Sequence, residues 1–240
     1  MKARALFEAG KLDEAIEELN GEVRSDPTNR RSRTFLFELL CFAGQYDRAE
    51  KQLDVLARGG KNAEMGAWLY RSALHAERTR QEMFQEGGLP EATDLRPTAS
   101  GTLNGKRFES LTDADPRIGA RLEVYAAGQY TWIPLRHVET VRISEPERLR
   151  DLLWAPAVIK TAPSFRGVEL GDVLIPATTP LSWQHEDPEI RLGRATDWTE
   201  LADGQVVPVG HKLFFVDDEP VSLLEMRELE LDPPVDAAEA

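Results

Sequence analysis

Two stretches of this 240-residue chain repeat one residue pattern at a fixed distance. AGKLDEAIEEL spans residues 9–19 and AGQYDRAEKQL spans residues 43–53, so the copies are offset by 34 residues. Gly10 and Gly44 occupy the same place in both copies, and glycine readily adopts the left-handed conformation that ends a helix. Ala15 and Ala49 fall where a second helix must approach the first closely. The repeat therefore predicts two helical hairpins of one design.

A period of 34 residues is the spacing of tetratricopeptide repeats, in which each unit is a pair of antiparallel helices. DPTN at residues 26–29 stands between the two units. Pro27 stops the preceding helix, and Thr28 or Asn29 can cap the next one. The apolar residues of the second helices fall at helical spacing; they are Leu12, Ala15, Ile16, Leu19 and Val23 in the first copy, and Ala49, Leu53 and Leu56 in the second.

A longer helix follows the second copy in place of a third repeat. Asn62 is a candidate N-cap, and Gly87 and Gly88 would end the helix shortly after Gln85. We expect this helix to cover the last hairpin, because a helical solenoid needs a terminal element over its apolar face. Its predicted inner stripe is Met65, Leu69, Ser72, Ala76, Thr79 and Met83.

The composition and the hydrophobic periodicity of the sequence change after the helical half. GGLPEATDLRPTASG at residues 87–101 is rich in Gly, Pro, Thr and Ser and has no periodicity, which indicates a domain boundary. The predicted fold is a multidomain protein of α and α+β class. It has a tetratricopeptide-like solenoid with a capping helix at residues 1–88, a linker at 89–100 and a β-rich α+β domain at 101–240. We expect the helical part to be a separable unit.

Alternating apolar and polar residues predict several strands beyond the boundary. ARLEVYAAGQYTWIPL at residues 120–135 predicts a β-hairpin that turns at Gly128 and Gln129. SEPERLRDLLW at residues 144–154 predicts one short helix, with Ser144 as its N-cap. The other predicted strands are HVETVRI, VELGDVLIP, QVVPVGHKLFFVD and SLLEMRELEL.

Charge is unevenly distributed along the chain. The net charge is −13, and residues up to Glu86 hold 14 of the 29 basic and 15 of the 42 acidic residues. Nearly all of the negative charge therefore lies in the second half, where it would repel phosphate backbones. This argues against nucleic acid as a partner. The basic cluster of Arg24, Arg30, Arg31 and Arg33 lacks the interleaved aromatic residues of single-strand binders.

The chain has the sequence character of a cytosolic protein. No apolar run approaches the ~20 residues that span a bilayer, so no membrane partner is expected. The N-terminus lacks the apolar segment of a signal peptide. Cys41 is the single cysteine, which excludes a disulfide framework and fits a reducing compartment.

No catalytic or metal-binding motif emerges, so we expect no cofactor, no metal and no enzyme. The four histidines lack ligand spacing, and HED at residues 185–187 is a polar loop before a proline. GTLNGKR at 101–107 fails as a phosphate loop, since its glycines are too close together and Arg107 replaces the magnesium-binding Ser or Thr. DADPR at 113–117 is an ordinary turn signal.

Several long stretches resemble the ImpE family, whose members are also called TagJ or SciE. They are RTFLFELLCFAGQYDRAEKQLDVLA (33–57), DADPRIGARLEVYAAGQYTWIPLRHVETVRI (113–143), PERLRDLLWAPA (146–157), LGRATDW (192–198) and LLEMREL (223–229). The resemblance covers nearly the whole chain, and departures cluster in loops such as IPATTPLSW and VPVGHKLFF. It implies a cytosolic accessory protein of bacterial type VI secretion systems. The implied partners are the small subunit of the contractile sheath and the AAA+ unfoldase that recycles the sheath.

A helix-binding groove is the surface that the residues themselves suggest. In a tetratricopeptide register, first helices of successive units would present aromatic and charged side chains together, as a groove for an amphipathic helix requires. The candidate partner-binding residues are Arg31, Thr34, Glu38, Phe42, Met65 and Trp68, with Cys41, Ser72 and His75 beside them. The alternative, without a binding role, is that Phe42 and Trp68 fill the core between helices.

Two functions from different classes remain open. The first is a non-catalytic adaptor that binds a sheath-subunit helix. The second is an enzyme or small-ligand binder that uses the acidic C-terminal domain, with the solenoid as a scaffold. An enzyme should show a convergent acid–base or metal constellation, and the sequence contains none.

Overall fold

The chain folds into an array of helices followed by a strand-rich region, as a computed structural model of residues 2–90, 99–163, 165 and 170–233 shows. This confirms the predicted fold class. Most of the predicted linker and the last seven residues lie outside the described residues. The helices of the N-terminal half are α1 (Lys2–Glu8), α2 (Leu12–Ser25), α3 (Arg30–Phe42), α4 (Tyr46–Leu56) and α5 (Lys61–Glu86).

The repeated turn has the predicted geometry in both copies. Gly10 lies between α1 and α2 with φ 75°, and Gly44 lies between α3 and α4 with φ 67°. Ala15 and Ala49 are both fully buried at the helix contacts. Asn29 caps α3 by accepting a hydrogen bond from the backbone N–H of Ser32. The turn and cap residues thus place two similar helical hairpins in succession.

Helix α5 ends as predicted but buries a different face. Gly87 adopts the left-handed conformation with φ 76°, while Gly60 and not Asn62 precedes the first turn. The predicted inner stripe is wrong at Met65, which is 73% exposed, and at Leu69, which is 45% exposed, whereas its member Ala76 is buried. The buried face contains charged residues, so apolar periodicity selects the wrong stripe. Its members are Ala67, Ala73, Leu74, Ala76, Glu77, Arg80, Gln81 and Phe84.

The second half contains thirteen short strands and one further helix among the described residues. An eight-stranded antiparallel sheet has the order β2-β1-β13-β6-β7-β8-β4-β5, a three-stranded sheet has the order β12-β11-β3, and β9 pairs with β10. Helix α6 spans Pro188–Arg191. The strands are β1 (Gly101–Leu103), β2 (Lys106–Phe108), β3 (Leu111–Asp113), β4 (Arg121–Ala126), β5 (Gln129–Pro134), β6 (Val138–Ile143), β7 (Trp154–Thr161), β8 (Gly171–Pro176), β9 (Thr196–Glu200), β10 (Val206–Gly210), β11 (Leu213–Val216), β12 (Glu219–Ser222) and β13 (Glu228–Leu231).

Two hairpins show how turn chemistry fixes the strands. The predicted hairpin of β4 and β5 turns through Ala127 and Gly128, both with positive φ. GTLNGKR forms a second hairpin, β1–β2, in which Asn104 and Gly105 both have positive φ. Asn-Gly is the preferred pair for such a two-residue turn. The stretch that resembled a phosphate loop is therefore an edge hairpin of the large sheet.

The predicted helix at residues 144–154 is wrong. Only Leu149–Leu152 forms a short 3-10 turn, which the Asp151 carboxylate caps by accepting from the N–H groups of Glu147 and Arg148. Trp154 already begins β7, a central strand of the large sheet. The segment QVVPVGHKLFFVD likewise forms two strands, β10 and β11, rather than one.

The helical and strand-rich halves share a hydrophobic core. Side chains of α1 to α5 form one cluster with Tyr125 of β4, Leu153, Trp154 of β7 and Leu192. Because side chains alternate between the faces of a strand, Leu122 and Val124 of β4 point into a second core between the two larger sheets. Strand β4 is thus buried on both faces, and it joins the two halves.

Both copies of the repeated turn touch one loop of the second half. A Cβ atom built on Gly10 would lie 2.2 Å from a carboxylate oxygen of Glu189, and one built on Gly44 would lie 2.4 Å from the Trp183 ring. Near the first turn, Arg191 forms an ion pair with Asp13 at 2.8 Å. The two glycines therefore allow the loop at residues 181–194 to lie against the helical array.

We predict that Gly44→Ala lowers the free energy of unfolding by more than ~1 kcal/mol, because a side chain at positive φ is strained and the Trp183 ring occupies its space. Gly66 is the matched control, since it lies inside α5 with no other atom near its Cβ position. Gly66→Ala should instead stabilise the protein by about 0.5–1 kcal/mol. Urea unfolding measures both changes, and an equal response of the two variants would contradict the assignment.

The shared core also changes what we expect of a fragment. The division into domains stays a prediction, but a fragment of residues 1–88 would expose the surface that covers Tyr125, Leu153 and Trp154. We therefore predict that this fragment has less helix by circular dichroism than the α1–α5 spans require, and that it aggregates or melts well below the full chain. A fragment as stable as the whole protein would show that the halves fold independently.

Candidate partner-binding surface

The structure separates the candidate residues of α3 into two groups. Arg31, in the first turn of the helix, is exposed, and Thr34 is half-buried. Glu38, Cys41 and Phe42, further along the helix, are buried, with exposures of 7%, 3% and 2%. The predicted groove on α3 is therefore open only near the start of the helix.

The chain's own second half covers the rest of α3. Arg150, in the turn before β7, forms an ion pair with Glu38 at 2.8 Å. Its guanidinium also lies 4.6 Å from the centroid of the Tyr70 ring. Burial raises the pKa of Glu38, and the charge of Arg150 opposes that shift. Glu38 thus serves an internal contact between α3 and the strand-rich half.

Phe42 and Cys41 line a small, partly open void together with Trp154 and Trp183. The void measures about 20 Å³, which is room for about one water molecule. Burial raises the pKa of the Cys41 thiol well above its ordinary value. A thiol held in this way is a poor nucleophile, because the reactive species is the thiolate. Phe42 and Cys41 therefore belong to the hydrophobic core, which is the alternative to a binding role that the sequence left open for Phe42.

The first turns of α5 present apolar side chains to solvent. Met65 is 73% exposed, Trp68 is 65% exposed and Leu69 is 45% exposed, and we call these three residues the α5 patch. They lie at i, i+3 and i+4, so they share one face of the helix. Ser72, one turn further on, meets the β4–β5 hairpin at Gly128. The patch ends where the large sheet begins to cover α5.

Large apolar side chains that stay exposed together mark interaction surfaces more often than isolated ones do. The α5 patch includes a tryptophan, the residue type most enriched at binding hot spots. Beside it, Arg71 of α5 forms an ion pair with Asp54 of α4 at 2.8 Å. His75 is exposed one turn beyond Ser72. The arrangement is an apolar strip with polar neighbours, which suits the face of an amphipathic helix.

A buried cluster of charges, which the sequence analysis missed, joins α5 to the sheet. Arg80 donates to both carboxylate oxygens of Glu123, at 2.7 and 3.1 Å, and to the backbone carbonyl of Thr178. Lys212 donates to Glu123 at 2.6 Å and forms an ion pair with Asp113. The side chains of Arg80, Glu123, Lys212 and Asp113 are 0% exposed.

Glu77 extends this cluster along α5. Its carboxylate accepts hydrogen bonds from the hydroxyl of Tyr125 and from the indole N–H of Trp154, the latter at 2.9 Å. It also lies 3.6 Å from a guanidinium nitrogen of Arg80. Tyr130 donates to Glu123 from the neighbouring strand. Helix and sheet therefore meet through a connected polar network.

The two carboxylates bound by Lys212 have opposite pKa shifts. Burial raises the pKa of Asp113 to about 6, although the charge of Lys212 opposes the shift. Burial acts in the same direction on Glu123, but Arg80 and Lys212 together outweigh it and hold the pKa of Glu123 well below its ordinary range. Glu123 is therefore charged, and it is the anion on which the two cations converge.

Perturbed pKa values can also indicate a catalytic site. Here the perturbed groups are buried between α5 and the sheet and are paired with one another, so the cluster is better explained as a structural contact. Among the described residues, no group of three or more His, Cys, Asp or Glu side chains could hold a metal ion. Across residues 2–90, 99–163, 165 and 170–233, no helix has the length and apolarity needed to cross a membrane.

The loop motifs that the sequence analysis considered have structural roles. In HED, Asp187 caps α6, and the His185 ring accepts from the Asp187 backbone N–H. In DADPR, Asp115 pairs with Arg117 at 2.6 Å within the turn. His211 lies beside the Ser222 hydroxyl, and burial lowers the pKa of its ring.

Comparisons with known proteins agree with this architecture. The profile of a family described as ImpE protein matches residues 105–230, and that of a tetratricopeptide repeat matches residues 6–67. The chain is 32% identical to the type VI secretion system accessory component TagJ of Pseudomonas aeruginosa, over 97% of this chain and 92% of that protein.

A solved structure has the same fold. The crystal structure of protein VPA1032 from Vibrio parahaemolyticus superposes with a TM-score of 0.84 at 21% sequence identity. The match covers 98% of this chain and 99% of that one. The order of helices and strands described above is therefore shared by an independently determined structure.

We predict that Glu123→Gln lowers the free energy of unfolding by about 3–5 kcal/mol, because it leaves Arg80 and Lys212 buried without their shared counter-charge. Glu228→Gln is the matched control, since Glu228 pairs with Arg142 on the exposed face, where both side chains are at least half exposed. The control should change stability by no more than about 0.5 kcal/mol. Chemical denaturation measures both, and a small effect of Glu123→Gln would show that the cluster does not hold the halves together.

Proposed function

The chain belongs to the ImpE family, and from that premise we propose that it is a non-catalytic cytosolic adaptor of a type VI secretion system. The proposed partner is a helix of the small subunit of the contractile sheath. A link to the AAA+ unfoldase that recycles the contracted sheath completes the proposal. The sheath and unfoldase are the partners that the family resemblance implies.

Two findings support an accessory role in secretion. The relative from Pseudomonas aeruginosa carries the name of a type VI secretion system accessory component, and the present chain matches it almost from end to end. The tetratricopeptide match covers α2 to α4, and arrays of this kind offer helix faces to other helices. An adaptor acts by binding, so an exposed helix face is sufficient for this role and no catalytic group is required.

The exposure of the α5 patch is the observation that carries the choice of binding surface. Trp68 is 65% exposed although the helix that bears it is covered on the opposite face, where Ala67 is 3% exposed. A stripe of side chains at i, i+3 and i+4 forms a ridge against which a second helix can pack. We therefore place the sheath helix against Met65, Trp68 and Leu69.

The remaining candidate residues take different parts in this proposal. Arg31 and Thr34 stay as contacts at the open end of α3, where Arg31 would meet an acidic side chain of the partner. Glu38 and Phe42 do not contact the partner in this proposal. They hold α3 against the second half of the chain and so fix the position of the helix. An aromatic anchor should contribute more to binding than a rim charge does.

The enclosed charges support a role without catalysis. The strongest pKa shifts belong to groups between α5 and the sheet, where hydrogen bonds and ion pairs within the chain engage them. An acid–base catalyst must instead come within hydrogen-bond reach of a substrate.

The test is titration of a labelled peptide from the helical region of the sheath subunit against the full-length protein. We expect Trp68→Ala to weaken binding more than tenfold, since removing an aromatic hot spot costs at least ~2 kcal/mol. Arg31→Ala should weaken binding less, and mainly at low salt. Val158→Ala is the control for an exposed apolar residue elsewhere, because Val158 is 48% exposed on β7.

Circular dichroism must first show that each variant is folded. If folded Trp68→Ala binds the sheath peptide as tightly as the wild type, the α5 patch is not the site. The sheath contact would then be sought on the strand-rich half. If no variant and no wild-type protein binds the peptide, the proposed partner itself is wrong.

A further inference from the structure

The strand-rich half presents a second exposed apolar surface, which is separate from the α5 patch. Strands β9 and β10 form a two-stranded ribbon in which Trp198 is 43% exposed and Val206 is 51% exposed. The Trp198 ring stacks on Phe215 of β11, with centroids 6.1 Å apart and planes inclined by 16°. We call Trp198, Val206 and Phe215 the ribbon face.

Strand register places a carboxylate within this surface. Glu200 follows Trp198 by two residues, so both side chains lie on the same face of β9. Glu200 is also paired directly with Val206, while Trp198 is paired with Pro208. On the neighbouring sheet, Pro220 lies opposite Phe215 and shares its face, while the exposed Glu219 at the strand end lies on the other face.

This stretch of the chain supplies no exposed lysine or arginine to neutralise these carboxylates. Between Thr196 and Met226 the only lysine or arginine is Lys212, which is fully buried and paired with Asp113 and Glu123. Arg194, just before the ribbon, is paired with Glu189 at 2.9 Å. Asp197 lies 3.6 Å from the His185 ring, and Asp217 accepts hydrogen bonds from the backbone N–H groups of Glu109 and Ser110. The exposed acidic residues of the same stretch are Asp197, Glu200, Asp203, Asp217, Asp218, Glu219 and Glu225.

We infer that the ribbon face docks an arginine- or lysine-rich segment of a partner protein. One cationic side chain would lie over the Trp198 indole, where the ring quadrupole attracts a positive charge. Glu200, on the same face of β9 as the indole, would pair with a second cation beside it. Stacking on Phe215 fixes the orientation of the indole, so little conformational entropy is lost on binding.

The charge of this surface favours a basic protein segment over other classes of partner. Seven exposed carboxylates in one stretch of 31 residues, with its only lysine or arginine buried, would repel an acidic peptide, a nucleic acid or an anionic membrane. A purely apolar helix would leave the carboxylates beside the indole unpaired and partly desolvated. A basic segment satisfies both the aromatic ring and the carboxylates around it. This inference rests on residues that the proposed function does not use.

The experiment uses the full-length protein and a short fluorescein-labelled peptide of alternating arginine and serine, followed by fluorescence anisotropy. We expect the wild type to bind this peptide, and Trp198→Ala to weaken binding by about threefold to tenfold. Trp198→Phe should retain part of the affinity, because phenylalanine keeps a weaker cation–π surface. Glu200→Gln should weaken binding at low salt and lose its effect as salt is raised.

Controls separate this face from general charge attraction. Glu228→Gln removes an exposed carboxylate elsewhere and should leave the affinity unchanged, as should Val158→Ala. Glu200→Lys should weaken binding of the arginine peptide more than Glu200→Gln does, because it places a positive charge on the face that bears the indole. This variant keeps the proposal testable if Trp198→Ala fails to fold.

Two results would overturn the inference. One is equal affinity of wild type and folded Trp198→Ala for the arginine peptide, and the other is equal binding of the arginine and glutamate peptides by the wild type. Neither result bears on the α5 patch, whose test uses the sheath peptide and Trp68. If the sheath-peptide test of the α5 patch fails, the inference about the ribbon face still stands.

Discussion

The ion pair between Arg80 and Glu123 sets the relation between the two halves of this protein. Two fully buried charges lose their hydration, and that loss is offset only when the geometry is good and every hydrogen bond is made. Glu123 therefore has a bidentate guanidinium on one side and an ammonium on the other. Apolar surfaces can slide over one another, but a paired buried charge tolerates little displacement. This contact fixes where α5 lies on the sheet.

The position of α5 decides which surfaces are left for other molecules. From Ala73 onward one face of the helix is buried, and its first turns extend beyond the cover of the strand-rich half. The same arrangement brings Arg150 onto Glu38, so that the inner face of α3 becomes part of the core. A groove that an isolated helical array would offer is thus occupied by the chain itself, and the free apolar surface moves to the start of α5.

Local signals in the sequence predicted the elements that depend on local chemistry. The spacing of Gly10 and Gly44 located the helical hairpins, Asn29 located a cap, and Gly128 located a β-turn. Apolar periodicity failed on α5 because its buried face carries Glu77 and Arg80, whose partners on the sheet lie 43 or more residues away. Glu123 interrupts the apolar residues of β4, and Lys212 directly precedes the apolar strand β11. A charged residue within or beside an apolar run was the available signal of a buried charge.

The errors in the second half have a related cause. SEPERLRDLLW has the charge pattern of a helix, but Trp154 is needed in β7, where its indole donates to Glu77 across the core. Tertiary contacts of this kind override local helix propensity. The same reasoning explains the candidate site. Trp68 and Phe42 are both aromatic residues on predicted helices, and the sequence does not show which of them is exposed. The placement of the strand-rich half decides this, since it leaves Trp68 exposed and Phe42 buried.

The two repeated glycine turns have a mechanical consequence for the helical array. In most repeat proteins the curvature arises from small rotations between successive units, and such arrays can bend. Here Glu189 and Trp183 rest against the turns of both hairpins, so one loop braces two successive units at points 34 residues apart in the chain. Bending one hairpin relative to the other would pull the loop from one of its supports. We therefore expect the array to behave as a rigid arm, which transmits the position of whatever it holds and does not close around it.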